Sequence, residues 1–440
     1  MEQRQNKKID CAIAIVGGGA AGMVAAIMAA HLLRQPAGVR DWSLAPVVLL
    51  ERQDRIGKKL LATGNGRCNL SHQPLDYTPY HGNDPTFIDP TLSRYDVDAT
   101  LDWFAGIGLY HRTDPDGRVF PYSYQASAVL DLLRREAERL PISVQTNCRV
   151  ISMRISRPDC FILTTSDGQK IAASRVIIAT GGMAAPAFGC EGDGYALLAG
   201  LGHRLIEPHP ALVQICTAKE AVRGFSGIRI DGRVSLTCRG KILRQEDGEI
   251  LFTDYGLSGP PILQLSRAVH HALLPDQPDA LRLQIDFLPG LTADNLKVWL
   301  IRRRDMDPQL PLQQFLTGLL HKKIGLSLVK QACRLPLTEP VSRLQDSAIL
   351  ELIDLIKNWQ VTVTGTRNWT QAQVTAGGIA TGDFDPRTLM SQKAPGLFAA
   401  GEVLDVDGDC GGYNLQWAWS SGLLAGEQAA RSWIDAYVQK

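Results

Sequence analysis

Residues 11–34 read CAIAIVGGGAAGMVAAIMAAHLLR. Three consecutive glycines stand between a β-branched apolar run and an alanine-rich run. A buried strand, a tight turn and a helix satisfy that order. The spacing Gly17-x-Gly19-x-x-Gly22 gives each glycine a task. The first permits the turn, the second lets backbone approach a pyrophosphate, and the third lets helix and strand pack closely. The helix N-terminus then offers free N–H groups and a positive dipole end to phosphate. Residues 11–33 lack any charged Asp, Glu, Lys or Arg and are long enough to cross a bilayer. The breaking glycines and the absence of a signal-cleavage pattern argue instead for a strand buried on both faces.

Residues 47–51 (VVLLE) form a second apolar strand ending in Glu51, where a carboxylate can accept hydrogen bonds from a ribose diol. Glu51 lies 29 residues beyond Gly22, against a usual spacing of about 20. A long connection at 35–46 accounts for the excess. The unit predicts a dinucleotide without separating FAD from NAD.

Three further motifs bear on the ligand. Gly57-Lys58-Lys59 precedes Thr63-Gly64-Asn65-Gly66-Arg67-Cys68-Asn69, whose donors need an occupant if the loop is buried. There Arg67 suits a phosphate and Asn69 a ribityl or flavin edge; a surface turn with a capping Asn is the simpler alternative. Ala179-Thr180-Gly181-Gly182 ends an apolar strand, the end at which α/β sheets hold ligands; a strand-terminating turn is the alternative. Gly401-Glu402, then Gly411-Gly412-Tyr413-Asn414, carry the most information. A strand ends in a carboxylate suited to a ribityl hydroxyl, and a glycine-rich entry opens a helix. That helix N-terminus suits the negative charge a reduced flavin gains at its N1/O2 edge. Cys68 and Cys410 fall inside these loops; small buried residues are a simpler account of them than a redox pair.

Composition removes several classes. Net charge is +1 over 440 residues, which gives no bulk attraction to nucleic acid or acidic membranes. The nine cysteines contain no CxxC pair, fitting a reduced cytoplasmic chain with neither a disulfide framework nor a metal site. No HExxH or GxSxG motif occurs. Arg302-Arg303-Arg304, followed by Asp305 and Asp307, reads as a solvated helix face.

The hydrophobic pattern predicts a helix over 20–34 and an amphipathic helix over 127–139. Strands are expected over 142–151, 159–165 and 171–179. Alternation over 228–253 around Asp231-Gly232 and Asp247-Gly248 suggests antiparallel hairpins. Pro260-Pro261 opens a helix to about residue 274, and 281–287 alternates again. Residues 292–359 read as mostly helical with Thr292 as N-cap. Residues 374–379 and 397–400 look like strands returning to the first domain, before a last helix from about Tyr413. The expected division is 1–206 for the first part of the nucleotide domain, 207–290 for an inserted antiparallel β domain, 291–365 for its helical part, and 366–440 for the second part.

The stretches IVGGGAAG (15–22), KKLLATGNGRCNLS (58–71), GRVFPYSYQASAVLDLL (117–133), ATGGMAAPAFGCEGDGYALLAGLGH (179–203), LFTDYGLSGPPIL (251–263), and AQVTAGGIATGDFDPRTL through GEVLDVDGDCGGYNLQWAWSSG (372–422) span nearly the whole chain. In them the chain resembles the bacterial FAD flavoprotein family of aminoacetone oxidase-like and dehydro-bile-acid reductase-like (BaiN/YhiN-like) proteins. The resemblance implies an α/β fold: a Rossmann-type FAD-binding domain of the two-dinucleotide-binding flavoprotein type, with an inserted β-barrel-like and helical domain. It implies FAD held by Gly17, Gly19, Ala20, Ala21 and Gly22, by Glu51, Arg52 and Lys58, and by Gly66, Arg67 and Asn69. Val150 would line the adenine pocket through its backbone. Thr180, Gly181, Gly182, Gly401, Glu402, Gly412, Tyr413, Asn414 and Leu415 would complete the site. Met183–Cys190 departs from the family's Ser-Tyr-Pro and Ser-Thr pattern, which allows a different substrate.

The expected function is an FAD-dependent oxidoreductase. NAD(P)H-linked reduction, or the reverse oxidation, of a small organic, cyclic unsaturated substrate leads, with NAD(P)H a transient co-substrate because no second GxGxxG follows residue 100. The alternatives are a small-amine oxidase releasing hydrogen peroxide and a non-catalytic FAD-bound binding protein. A small-molecule substrate, without nucleic acid or membrane, is the expected partner. No side chain is singled out as acid or base; Tyr413, His209, Asp254 and Tyr255 are polar residues expected near a domain cleft.

Overall fold

The computed structural model describes residues 10–34, 46–273 and 280–438. The chain divides into two compact units, Met1–His209 with Gln373–Lys440, and Pro210–Ala372. Each has its own hydrophobic core.

The first unit is built on a seven-stranded sheet. Cys11–Val16 pairs in parallel with Val47–Leu50 on one side and with Lys170–Ile178 on the other. All residues of the first two strands are buried, which is why their sequences are continuously apolar rather than alternating. Ile142–Gln145 extends the sheet in parallel beyond Val47–Leu50. The long Lys170–Ile178 strand serves two further partners. Its first half pairs antiparallel with Cys160–Thr165, and its second half pairs in parallel with Leu397–Ala399. Residues 142–151, expected as one strand, are interrupted: the chain leaves the parallel sheet after Gln145, passes Asn147 at a φ of 54°, and re-enters at Val150–Arg157. Of the 35–46 connection only Pro46 is described.

Ala20–Leu33 and the last helix, Tyr413–Val438, pack together through small residues. A Cβ on Gly422 would lie 2.5 Å from the Ala21 carbonyl oxygen, and one on Gly426 would collide with that of Ala25. Backbone meets backbone there, so the helices sit closer than larger side chains allow. Among the described residues no helix is long and apolar enough to cross a membrane.

The second unit holds a closed barrel of six strands. Arg229–Cys238 and Lys241–Phe252 form its long hairpin. The turn is Arg239-Gly240, both at positive φ, which suits a tight hairpin connection. The Asp-Gly pairs expected to turn the chain lie mid-strand instead, with Gly232 directly opposite Gly248. The two strands hold these residues in register against each other, and each also pairs with a further strand: Leu281–Asp286 beside the first and Gly256–Ser258 beside the second. Trp359–Thr366, read as the end of the helical segment, is the sixth strand; it joins Leu281–Asp286 to Ile215–Thr217 and closes the barrel. Between the fifth and sixth strands lie the helices Ala293–Met306, Lys322–Cys333 and Asp346–Lys357. Thr292 caps the first, its hydroxyl accepting from Asn295 N at 3.2 Å. The arginine run on that helix is engaged at the surface: Arg304 pairs with Asp305 and Asp346, and Arg303 lies over Trp299.

The glycine contact yields a stability prediction. Gly426→Val is expected to cost about 3 kcal/mol through overpacking against the Ala20–Leu33 helix. Thermal unfolding should show a lowered midpoint, whereas valine at exposed Lys330 should leave it within a degree or so.

Candidate functional site

The first unit collects every candidate cofactor contact. Gly17 follows the first strand at a φ of 108°, and a Cβ there would strike the Ala179 carbonyl. Gly19 is the N-cap of Ala20–Leu33 and supplies no side-chain cap; no acidic residue occupies the first turn. The opening N–H groups of the helix therefore have no side-chain acceptor. A Cβ on Gly19 would meet nothing within 4 Å. Ala20, Ala21 and Gly22 continue into the helix without a side chain that blocks this face. Free donors, a positive dipole end and open space together make an anion cradle.

Glu51 leaves the second strand buried against this loop. Its Oε2 accepts from Gly18 N at 2.8 Å and its Oε1 from Gln53 N at 2.7 Å. Each carboxylate oxygen retains a second acceptor site for a ribose hydroxyl. Arg52 is committed to the protein, pairing with Glu191 and Asp193 at 2.9 Å each, and Arg149 joins Asp193 at 2.6 Å. Val150 is buried at the start of its strand, opposite Thr165.

The Lys59–Gly66 segment sends two adjacent lysines to different partners. Lys58 turns to Asp54 and to Gln53 Oε1. Its neighbour Lys59, not among the expected contacts, makes a 2.8 Å ion pair with Glu402. Adjacent lysines on a tight helical turn point in different directions, so sequence alone does not choose between them. Gly66 ends the segment, and Arg67 lies over Phe120, 5.2 Å from the ring centre, rather than projecting freely. Asn69 Oδ1 is buried with no hydrogen-bond partner.

Thr180, Gly181 and Gly182 follow the Lys170–Ile178 strand and abut Thr375, which the sequence reading missed. The Thr375 hydroxyl accepts from Met183 N at 2.8 Å and Ala184 N at 3.0 Å, fixing the start of the Met183–Cys190 segment. Thr375 N in turn donates to Glu402 Oε1 at 2.7 Å. Both Glu402 oxygens are thus anchored, one by backbone and one by Lys59. Burial works against the Lys59 charge, but the Glu402 carboxylate outweighs it and holds the ammonium above its ordinary pKa.

The last helix closes the site. Gly401 N donates to Ser421 Oγ at 2.9 Å, and Trp417 Nε1 donates to Gly401 O at 3.2 Å. Gly412 packs so tightly on Ser71 that a Cβ would overlap its carbonyl. The Tyr413 ring stacks on His72 at 5.2 Å and meets Tyr80 edge-on at 5.6 Å. Asn414 folds back, its Oδ1 accepting from Gly408 N at 2.8 Å and its Nδ2 donating to Gly408 O at 2.6 Å, so it shapes the glycine loop. Leu415 follows half-buried. Of the polar residues expected near a cleft, Tyr413 and His209 belong to the first unit, and Asp254 and Tyr255 to the second. Tyr255 lies beneath Arg367, 4.6 Å from its guanidinium.

Cys68 is fully buried, and burial pushes its thiol up to about 12, so at neutral pH it is a small core residue rather than a thiolate. Among the described residues no group of three or more His, Cys, Asp or Glu is arranged to hold a metal.

The open Gly19 face, the uncapped helix and the orphaned Asn69 acceptor fit a bound dinucleotide. Gly17→Ala should therefore reduce FAD retention at least tenfold, read by flavin absorbance after gel filtration. Lys59→Met should destabilise the chain by about 1–3 kcal/mol, between the values typical of surface and buried pairs, as measured by denaturant unfolding. Native protein treated with iodoacetamide at pH 8 should leave Cys68 unmodified in a peptide map, and unfolded protein should not.

A family model described as HI0933-like protein Rossmann domain matches residues 11–428. The chain is 40% identical over 418 residues to a 3-dehydro-bile acid delta(4,6)-reductase of Clostridium scindens, covering 95% of this chain and 98% of that one. It is 28% identical over 410 residues to a ribosomal RNA dihydrouridine synthase of Escherichia coli, covering 92% and 95%. Its fold is similar to that of 3-ketosteroid delta1-dehydrogenase from Sterolibacterium denitrificans, with a TM-score of 0.50 at 12% identity, over 96% of this chain and 99% of that one. The glycine cradle, the acid that closes it and a match over almost the full length lead to one conclusion: this chain belongs to the HI0933-like Rossmann family.

Proposed function

We propose that this chain uses NAD(P)H to saturate a carbon–carbon double bond conjugated to a carbonyl. It is an FAD-dependent oxidoreductase. The observation that carries the cofactor assignment is the Gly17–Gly22 cradle, with bare helix donors facing open space. In this reading the loop holds the pyrophosphate, Glu51 the ribose, and the Val150 backbone the adenine. Thr180–Gly182, Gly401–Glu402 and Gly412–Leu415 line the flavin end, with Lys59 fixing Glu402. Bound FAD supplies a hydride store that accepts two electrons from one partner and passes them to another.

The reaction class is supported by what two relatives have in common. A 3-dehydro-bile acid delta(4,6)-reductase and a dihydrouridine synthase act on dissimilar molecules. Both names describe saturation of a ring double bond adjoining a carbonyl. The net change is NAD(P)H, a proton and the alkene giving NAD(P)+ and the saturated product. The protein's contribution is to hold its loops rigid: Thr375 fixes residues 183–184, and Glu402 fixes Thr375.

Anaerobic mixing tests the proposal. NADH or NADPH should bleach the bound flavin, and a 3-oxo-Δ4 steroid acid or a uracil-containing substrate should restore its colour, with one saturated product formed per nicotinamide oxidised. Flavin that stays oxidised under excess nicotinamide, or peroxide formed from a small amine as the sole turnover, would refute it.

A further inference from the structure

Between the Thr180–Gly182 turn and the helix Asp193–Ala199 the chain makes an Ω-type loop, whose two ends meet: Gly192 N donates to Gly182 O at 3.2 Å. Its neck sits at one end of the candidate cofactor site. A Cβ on Gly182 would strike the Thr375 hydroxyl and lie 3.1 Å from Glu402 Oε1, and that hydroxyl accepts from Met183 N and Ala184 N. Its tip reaches the other end. A Cβ on Gly189 would lie 2.9 Å from the Gln53 side chain, and Gln53 N is one of the two donors that hold Glu51. Cys190 follows the tip. Burial pushes its thiol up, and the charges of Lys59, Glu402, Glu51 and Arg52 all reach it. One loop thus extends from the carboxylate assigned to the ribityl chain to the carboxylate assigned to the ribose.

Neck and tip are held differently. Met183 packs against the core of the first unit, whereas Ala185, Pro186 and Phe188 are not part of it. Ala185 and Gly189 stand at φ values of 59° and 93°, so the tip is sharply bent without gaining apolar burial. Charges fasten the returning end instead. Arg52 pairs with Glu191 and Asp193 at 2.9 Å each, and Arg149 pairs with Asp193 at 2.6 Å and lies 3.9 Å from Glu191. Two cations thus meet two anions, with no excess of either. The two acids differ in exposure. Asp193 opens the helix and its side chain is 17% exposed; Glu191 lies on the loop and is 45% exposed. An ion pair open to solvent is weak and is screened by salt, so the Arg52–Glu191 contact is the first to break.

We propose that residues 182–192 are a lid over bound FAD and that the Arg52–Glu191 ion pair is its latch, so that FAD leaves when this pair opens. A loop with few buried apolar contacts opens at lower cost than the sheet and helices around it. Arg52 then acts on the cofactor through the loop rather than by touching it. The inference rests on the FAD assignment and is independent of the acceptor that the flavin reduces.

FAD release from the loaded full chain tests this, read as the rise in flavin fluorescence after dilution. Glu191→Gln should speed release about twofold to fivefold, the rate equivalent of one solvent-exposed ion pair. Added salt should speed release from wild type, less so from Glu191→Gln, while Glu191→Asp keeps the wild-type salt response. Hydrogen exchange of the loaded protein gives a second readout that needs no turnover. Glu191→Gln should raise deuterium uptake in residues 185–192 and leave the Ala20–Leu33 helix unchanged. Release unchanged in Glu191→Gln overturns the lid, whatever the exchange shows. Faster release from Arg52→Gln alone, with Glu191→Gln behaving as wild type, means that Arg52 holds FAD directly and also overturns the latch. So does a Glu191→Gln variant whose release is faster but keeps the full salt response, because the salt is then acting on something other than this pair.

Discussion

The first and last helices of the first unit touch through backbone. Gly422 and Gly426 lie against Ala21 and Ala25, and the candidate site depends on that contact. The Ala20–Leu33 helix begins at the glycine cradle, and the Tyr413–Val438 helix begins at the Gly411-Gly412 entry. Packing the two helices brings segments nearly 400 residues apart in sequence into one place. The last helix also ties in loops along its length: Trp419 Nε1 donates to Leu70 O, Trp417 Nε1 to Gly401 O, and Ser421 accepts from Gly401 N. A residue larger than glycine at the crossing would loosen all of these together.

Two carboxylates repeat one design. Glu51 and Glu402 each follow a buried parallel strand, and each engages both oxygens with the protein. Glu51 locks the glycine loop through Gly18 and Gln53. Glu402 locks the Thr375 backbone and the Lys59 ammonium. A carboxylate fixed on both oxygens has lost its rotamer freedom before any hydroxyl arrives, so binding need not supply that ordering. The Glu402 anchor reaches further, because Thr375 positions the Met183–Ala184 backbone.

Much of the fold was legible in the chain. The parallel strands announced themselves as unbroken apolar runs, the helix caps and proline starts held to within a few residues, and the Gly17–Gly22 motif marked the cradle. The misreadings share a cause. Asp231-Gly232 and Asp247-Gly248 carry turn chemistry, yet they lie mid-strand because the two long strands of the hairpin pair through them. Trp359–Thr366 reads as the end of a helical stretch, yet it is a strand because the barrel needs a sixth member to close. Local preference is worth a fraction of a kcal/mol per residue and gives way to sheet pairing.

The sequence by itself determined that a dinucleotide cradle would form, since only glycines of that spacing permit the turn and the close approach, and that Glu51 and Glu402 would stand at strand ends. Tertiary structure decided which side chains those acids would hold. Lys59 rather than Lys58 faces Glu402, Thr375 bridges to Met183, and Arg67 covers Phe120 instead of projecting. These are contacts between residues distant in the chain, set by side-chain direction and sheet register, and neither is a property of a local stretch of sequence.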